Sequence, residues 1–576
     1  MTKFQKLAAA LMTVLSGIAV YCFFAFKYPY HLHFQEQYQL FESTWGYFGS
    51  VAAVPGGLAD WIGRFLTQFC YYAPAGSALL ALLFCGVQLL VWASCRQRTL
   101  GVYALSFIPA FLLLAFWCDE NALAGGAVAL ALSLCAATLC QRVGPDRSRH
   151  ILQAILVPLL YMACGPLSVV FSLATAFREA ERLGRARVWP ALAILAALTV
   201  LCPLAASRLF PYPLGRLVSS VHYYRYHNIL PGLLWLSSIL SAAVVALSCI
   251  RAKRLQAWPV GAGLFVLVAA AGTLFTFKVA DFAKEEWMRY DFMVRMQMWN
   301  RIMMAADLRN PTDAKSVSCL NLALSKTGRM ADSQFEYAQI GEEGLLPEFE
   351  LDFINPVSTG EIFWHLGMVN TAQRYAFEAQ EAIPDFQKSA RCYQRLVQTN
   401  IVNGDWDVAR KYLKALSHAL FYRRWARQTE AFLDSGEIFD RRPELARARD
   451  LRLKEHDFLF SESEMDSMLG LLKVENPSNT MALDYLMAWC LLRKDLDRFV
   501  ECISLVEAPQ MPKAYQEALL LRWVLTHSDF DGLPVYLSRE RALRIRSFIQ
   551  NLQAGKGEAD MRRDFGDTYW FYYYYR

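Results

Sequence analysis

The sequence predicts an all-α protein in two parts: a polytopic helical membrane domain of about nine passes, two of them short, and then a soluble α-solenoid. Three observations carry this. Residues 1–280 are long apolar segments separated by short basic loops, whereas residues 281–576 have no further apolar span. Charged residues make up 19% of the chain, against roughly 25% in ordinary soluble domains, and the deficit belongs to the first part. That part holds about 20 Lys+Arg and 8 Asp+Glu, leaving about 38 and 44 for the second, so the net +6 divides into about +12 and −6. A second part near −6 has no electrostatic footprint for nucleic acid.

Leu7–Phe26 is a run without charge behind Lys3 and Lys6. A secretory signal has a shorter apolar core and a small-residue cleavage site, so the run reads as an uncleaved first span with its N-terminus inside. Further spans are expected at about 76–95, 100–118, 122–140, 188–206, 229–250 and 256–280, each near the length a bilayer core needs. Residues 151–177 fit either one tilted span or two short ones broken at Gly165-Pro166. Charge decides. Only the double pass puts Arg178, Arg182, Arg185 and Arg187 inside, together with Arg96/Arg98, Arg142/Arg147/Arg149 and Arg251/Lys253/Arg254, as the positive-inside rule asks. Loops 27–75, 118–121 and 207–228 are then outside, with everything after residue 280. The expected location is the inner, cytoplasmic membrane, with a cytoplasmic N-terminus and a periplasmic second domain.

The second domain, 281–576, begins with an amphipathic helix over 283–306, marked by Trp287, Tyr290, Trp299 and Met303. Helix pairs joined by short turns follow. Leu320–Ala323 leads to Gly328, then Ala331 and Phe335; Tyr393–Val397 leads to Gly404, then Trp406, Ala409 and Tyr412; Ala482, Tyr485 and Ala488 lead to Lys494-Asp495, then Phe499. Small residues facing across such turns resemble tetratricopeptide repeats, although the period is irregular. That resemblance implies a concave surface for an envelope protein partner. Residues 569–575 are seven consecutive aromatics, either a docking belt or a strap packed on the last helices. The 14 cysteines are scattered without a CxxC, so metal and redox motifs are absent; a Cys490–Cys502 bridge and buried free thiols are both open readings.

Chemistry has three external loops to live in. The first, 27–75, carries His31, His33 and Glu36-Gln37, then Pro55-Gly56-Gly57-Leu58 and a run with apolar residues at 58, 61, 62, 65, 66 and 69, the period of a helix lying along the interface. The second is Cys118-Asp119-Glu120-Asn121. The third holds Arg208, Arg216, His222, Arg225 and His227, with Tyr223, Tyr224 and Tyr226 interleaved. No phosphate-binding Gly loop, dinucleotide motif, HExxH or GxSxG occurs, and charge inside the spans is nearly absent, which argues against an ion-coupled transporter.

This layout resembles the GT-C superfamily of lipid-donor glycosyltransferases across roughly residues 1–280. Members have a long first external loop with an acidic residue soon after span one, juxtamembrane helices, and often a second acid in the next external loop. The resemblance implies Glu36, Asp119 and Glu120 as catalytic acids. It also implies His31, His33, Arg208, His222, Arg225 and His227 around a polyprenyl-phosphate sugar donor, with a divalent cation on paired acids. Here the usual acidic pair is Glu36-Gln37. The split layout is also similar to an uncharacterised family of Bacteroidetes multi-pass proteins with a C-terminal helical domain. The rival reading is a non-enzymatic, membrane-anchored helical-repeat protein that binds an envelope partner. The two differ in one geometric respect: an enzyme brings Glu36, Asp119/Glu120 and the 208–227 groups together.

Overall fold

A computed structural model describes residues 2–183, 185–250, 257–453, 464–507, 510–527, 533–534 and 537–576. The basic loop Arg251/Lys253/Arg254 lies outside the described residues, as do the side chains of Arg185 and Arg187. Described residues form helices and no strand. They group into two compact units. The first is Met1–Glu285 with two short later segments, Gln387–Ala390 and Ala415–Arg424; the second is Glu286–Phe386, Arg391–Lys414 and Trp425–Arg576.

In the first unit, six segments are long and apolar enough to cross a membrane: Lys3–Lys27, Ala73–Ser94, Asp146–Leu183, Val188–Leu209, Gly232–Cys249 and Trp258–Val279. Leu100–Phe116 and Ala124–Cys140 are apolar but shorter. The helices are α1 (Lys3–Cys22), α2 (Pro29–Gln37), α3 (Trp45–Ala52), α4 (Gly57–Thr67), α5 (Ala73–Ser94), α6 (Leu100–Leu105), α7 (Phe107–Phe116), α8 (Ala124–Cys140), α9 (Asp146–Cys164), α10 (Val169–Leu183), α11 (Arg185–Leu209), α12 (Leu214–Ser219), α13 (Gly232–Cys249) and α14 (Trp258–Val279).

The expected span 100–118 is two helices meeting at Ser106, and a chain of polar contacts runs through the junction. The Ser106 hydroxyl donates to the carbonyl of Tyr103 at 2.6 Å and accepts from Gln88 Nε2 at 2.8 Å. Gln88 Oε1 in turn accepts from the Thr13 hydroxyl at 2.9 Å, and Thr13 also meets the Tyr103 hydroxyl. Polar groups in apolar surroundings are costly unless paired, so this buried chain clasps α1, α5 and the α6–α7 junction together.

The segment 151–177 breaks where the Gly-Pro pair predicts. Gly165 sits at φ +68°, and residues Gly165–Ser168 form one tight turn between α9 and α10. The far ends of the two helices meet again. Arg149 Nη2 donates to Glu179 Oε2 at 2.9 Å, and Gln153 Nε2 to Glu179 Oε1 at 3.1 Å. The two helices therefore form a hairpin with its apex at the break. Their lengths, 19 and 15 residues, correspond to about 28 and 22 Å at 1.5 Å per residue.

Helix α4 was expected to lie along the interface on an apolar stripe. Its apolar side is indeed half-exposed, with Phe65 at 39%, but its other side is buried. Gly63 comes so close to Gly125 of α8 that an added Cβ would lie 2.4 Å from the Gly125 nitrogen. Small residues permit such backbone approach between helices. On the same side Asp60 and Arg64 form a buried ion pair at 2.7 Å.

In the second unit helix pairs turn at the predicted positions. Gly328 and Gly404 lie in the left-handed region at φ +68° and +90°, and Lys494 takes the same region at φ +60°. The aromatic terminus is the helix Tyr569–Tyr575, packed rather than free. Trp570 is fully buried, its indole Nε1 donates to the carbonyl of Glu517 at 2.7 Å, and the Tyr572 hydroxyl donates to the carbonyl of Leu492 at 2.7 Å. Arg391 joins Asp291 at 2.6 Å and Glu361 at 3.3 Å, while Arg395 reaches Glu361 at 2.5 Å. Cys490 and Cys502 are buried free thiols in contact with one another.

Candidate functional site

All the residues singled out in the three loops expected to be external belong to the first unit, and main-chain chemistry ties those loops together. Ala122 and Tyr224 form an antiparallel bridge. Around it Leu123 N donates to the carbonyl of Tyr223 at 3.1 Å, and Arg225 N to that of Asn121 at 2.9 Å. The first loop joins through Gln35 of α2, whose Nε2 donates to the carbonyls of Asp119 (3.3 Å) and Ala122 (3.2 Å). Arg225 Nη1 donates to the carbonyl of Tyr38 at 3.3 Å, and its guanidinium lies 5.6 Å from the Tyr38 ring centre.

The loops also cap the broken span. A broken helix frees backbone groups that need partners at membrane depth. Tyr223 supplies them: its hydroxyl meets the carbonyl of Cys164 and accepts from Leu167 N at 3.1 Å. Gly56 and Gly165 pack backbone on backbone here, so a Cβ on Gly56 would lie 3.5 Å from the Gly165 Cα. The Pro55-Gly56-Gly57 turn therefore seats the hairpin apex.

The polar groups arrange as follows. The short helix α2 begins on a carboxylate: Glu285 accepts from Tyr30 N at 2.8 Å and His31 N at 2.9 Å, two of the donors a helix start leaves open. Burial raises that carboxyl to about 8. His31 is 1% exposed, and burial holds it down to about 4 against the opposing pull of Glu120, so its ring is neutral near pH 7. Glu120 is buried and pairs with Lys284 at 2.6 Å, whose own side chain reaches solvent. Asp119 is half-buried; its Oδ2 accepts from the Tyr224 hydroxyl at 2.8 Å and its Oδ1 from Asn121 N at 2.9 Å. Burial raises the Asp119 carboxyl above its usual range. Arg225, 2% exposed, is lowered to about 10 by the same cause.

The other expected residues have these neighbours. Glu36 is neither in a wet loop nor open: it is 4% exposed on α2, and Oε2 accepts from the Tyr422 hydroxyl at 2.9 Å. His222 contacts Arg216 at 3.4 Å and stands edge-on to the Tyr212 ring. The His227 carbonyl accepts from Ser220 at 2.6 Å. His33 is half-buried beside Tyr30. Arg208, at the end of α11, is exposed and makes none of the contacts that join the loops. Among the described residues no group of three or more His, Cys, Asp or Glu is placed to hold a metal ion.

Sequence reasoning missed Lys284, Glu285 and Tyr422. The first two sit in the helix Phe282–Arg295 that follows the last span, and their order Lys-Glu-Glu gave no hint of loop contacts. An apolar groove adjoins the cluster. It has a volume of about 590 Å³ and is lined by α1, α7 and α14, with Phe23, Phe277 and Lys27 among its residues. Phe23 stacks on Tyr28 at 5.6 Å, and the Tyr28 hydroxyl donates to the carbonyl of Cys118 at 3.1 Å, next to Asp119.

The profile of a family of unknown function, DUF6057, matches residues 3–576. The chain belongs to the DUF6057 family. No curated protein and no solved structure matches it. The match covers the membrane spans and the later helices alike, so the split layout is a property of this DUF6057 chain as a whole.

Proposed function

We propose that this chain is a membrane-embedded, GT-C-like glycosyltransferase that takes a sugar from a polyprenyl-phosphate donor at the outer face of the inner membrane. The observation that carries this reading is the convergence of the three loops on Asp119, Glu120, His31 and Arg225 beside an apolar groove. In this reading the α9–α10 hairpin counts as two short passes, which gives nine in all and puts the cluster outside. The isoprenoid chain lies in the groove along α1 and α14, with Lys27 near its phosphate. Asp119 is the general base for the acceptor hydroxyl: a carboxyl raised by burial holds a proton more readily than a solvated one. Lys284 and Arg225 balance the leaving phosphate through charge-assisted hydrogen bonds. The later helices stack as a tetratricopeptide-like array on the same side of the membrane.

The test is transfer itself. Purified chain in lipid nanodiscs, given a polyprenyl-phosphate hexose and a cell-envelope extract, should release polyprenyl phosphate, and Asp119→Asn should not. Equal release with and without the protein sinks the reading. The non-enzymatic anchor is favoured by one observation, the closure of Glu36 by Tyr422, because a buried, engaged carboxylate serves packing.

A further inference from the structure

The second unit contains a cavity of about 400 Å³ with the makings of a binding site independent of the membrane cluster. Its walls come from the ends of three helices: Lys326 closes Ala314–Lys326, Trp364 and His365 close Asn355–Leu366, and Glu444 and Arg447 project from Pro443–Leu451. Trp299, half-buried, adds an aromatic wall, with its ring 5.5 Å from that of His365. The volume lies in the range of small-molecule pockets.

The charge is lopsided. Lys326 and Arg447 face one another, and among the described residues neither has a carboxylate in ion-pair contact. The helix carbonyls near Lys326 are already used, by Thr327 N, Gly328 N and Arg329 N. Arg395 lies over the Trp364 ring at 4.4 Å and is matched by Glu361. His365 is held near 3 by burial and then by Lys326, so it adds a neutral ring. Glu444 is the acid in the wall. Two like charges brought together in a cavity repel one another until an anion joins them.

We propose that this cavity binds a sugar-sized organic anion, with its carboxylate or phosphate between Lys326 and Arg447 and its ring against Trp299. A planar guanidinium and an ammonium suit either oxyanion, and Glu444 is placed to accept ring hydroxyls.

Burial and Arg447 lower Lys326 to about 8. An arriving anion restores its proton, so binding at pH 8 takes up protons. The full chain in detergent micelles is titrated calorimetrically with glucose 1-phosphate, glucuronate and uncharged glucose, in two buffers of different ionisation heat. At least one anion should bind with buffer-dependent heat, and glucose should not. Preference between the anions tells phosphate from carboxylate. Lys326→Met and Arg447→Gln should each weaken binding at least tenfold, and Lys326→Met should abolish proton uptake. Arg447 is exposed, so its variant reads binding without a folding defect, checked by an unchanged melting temperature. The proposal is overturned if neither anion binds, if glucose binds as well, or if Arg447→Gln binds like the parent.

Discussion

The Tyr422 hydroxyl donates to Glu36 Oε2 at 2.9 Å, a contact between residues 386 positions apart in the chain. It is one of several by which Ala415–Arg424 and Gln387–Ala390 complete the first unit. Lys388 pairs with Glu42 at 2.6 Å, Ser43 N donates to the carbonyl of His418 at 3.0 Å, and the Phe421 ring stacks on Tyr71 at 5.2 Å. Tyr422→Phe removes one hydrogen bond to a buried carboxylate. The expected cost is about 2 kcal/mol, read as a lowered melting temperature of the detergent-solubilised protein. An unchanged melt would show the contact to be idle.

Glu36 and Asp119 separate by readout. Glu36→Gln keeps the shape and the Tyr422 contact, so transfer should fall only with stability. On the proposed reading Asp119→Asn removes the proton acceptor and should lower turnover by at least 100-fold, on the scale of general-base catalysis, with the melt unchanged. Loss of transfer in Glu36→Gln at normal stability would return the base to Glu36.

The acid limb of stability should be carried in part by His31. Its folded value is about 4, below the ordinary 6.5. A group lowered on folding contributes stability that is present above the unfolded value and lost as pH falls toward the folded one. Melting temperature should therefore drop between about pH 6.5 and 4, and His31→Gln should flatten that window. A parent curve already flat there would refute the assignment.

Topology is checked by reporters. The hairpin closed by Arg149 and Glu179 returns the chain to the side it left, so a fusion after Arg576 should be active only as a periplasmic enzyme. A cytoplasm-only reporter that lights up there would require an odd number of passes through 146–183.

The aromatic terminus should behave as part of a core. Trp570 is fully buried, and Trp570→Ala should cost about 3–5 kcal/mol, seen as a lower denaturant midpoint for the second unit. A midpoint unchanged from the parent would mark the helix as dispensable.

Hydropathy made the apolar segments legible, because a run of twenty carbon-rich residues has few other uses. Gly165-Pro166 announced the break, since glycine reaches φ +68° freely and proline ends the helix before it. The convergence of Asp119 with the third loop was legible only as an expectation drawn from layout. The burial of Glu36 was not legible, because proximity to a span suggests a wet headgroup site, whereas one of its neighbours is a tyrosine far along the chain. Asp60 and Arg64 were hidden likewise: an i,i+4 pair looks the same on a solvated face as on a buried one. The residues 415–424 have ordinary helical-domain composition, so nothing local marks them for the first unit.

That return of the chain bears on how the protein is made. The apolar segments emerge first from the ribosome, yet the first unit still lacks pieces that end at Arg424. At about 5–20 residues per second, the delay after Glu285 is on the order of ten seconds. Throughout it the carboxylate of Glu36 and the rings of Phe69 and Tyr71 wait for partners not yet translated. A message cut before codon 424 would insert its helices but leave this surface open, a substrate for membrane quality control rather than a smaller working protein.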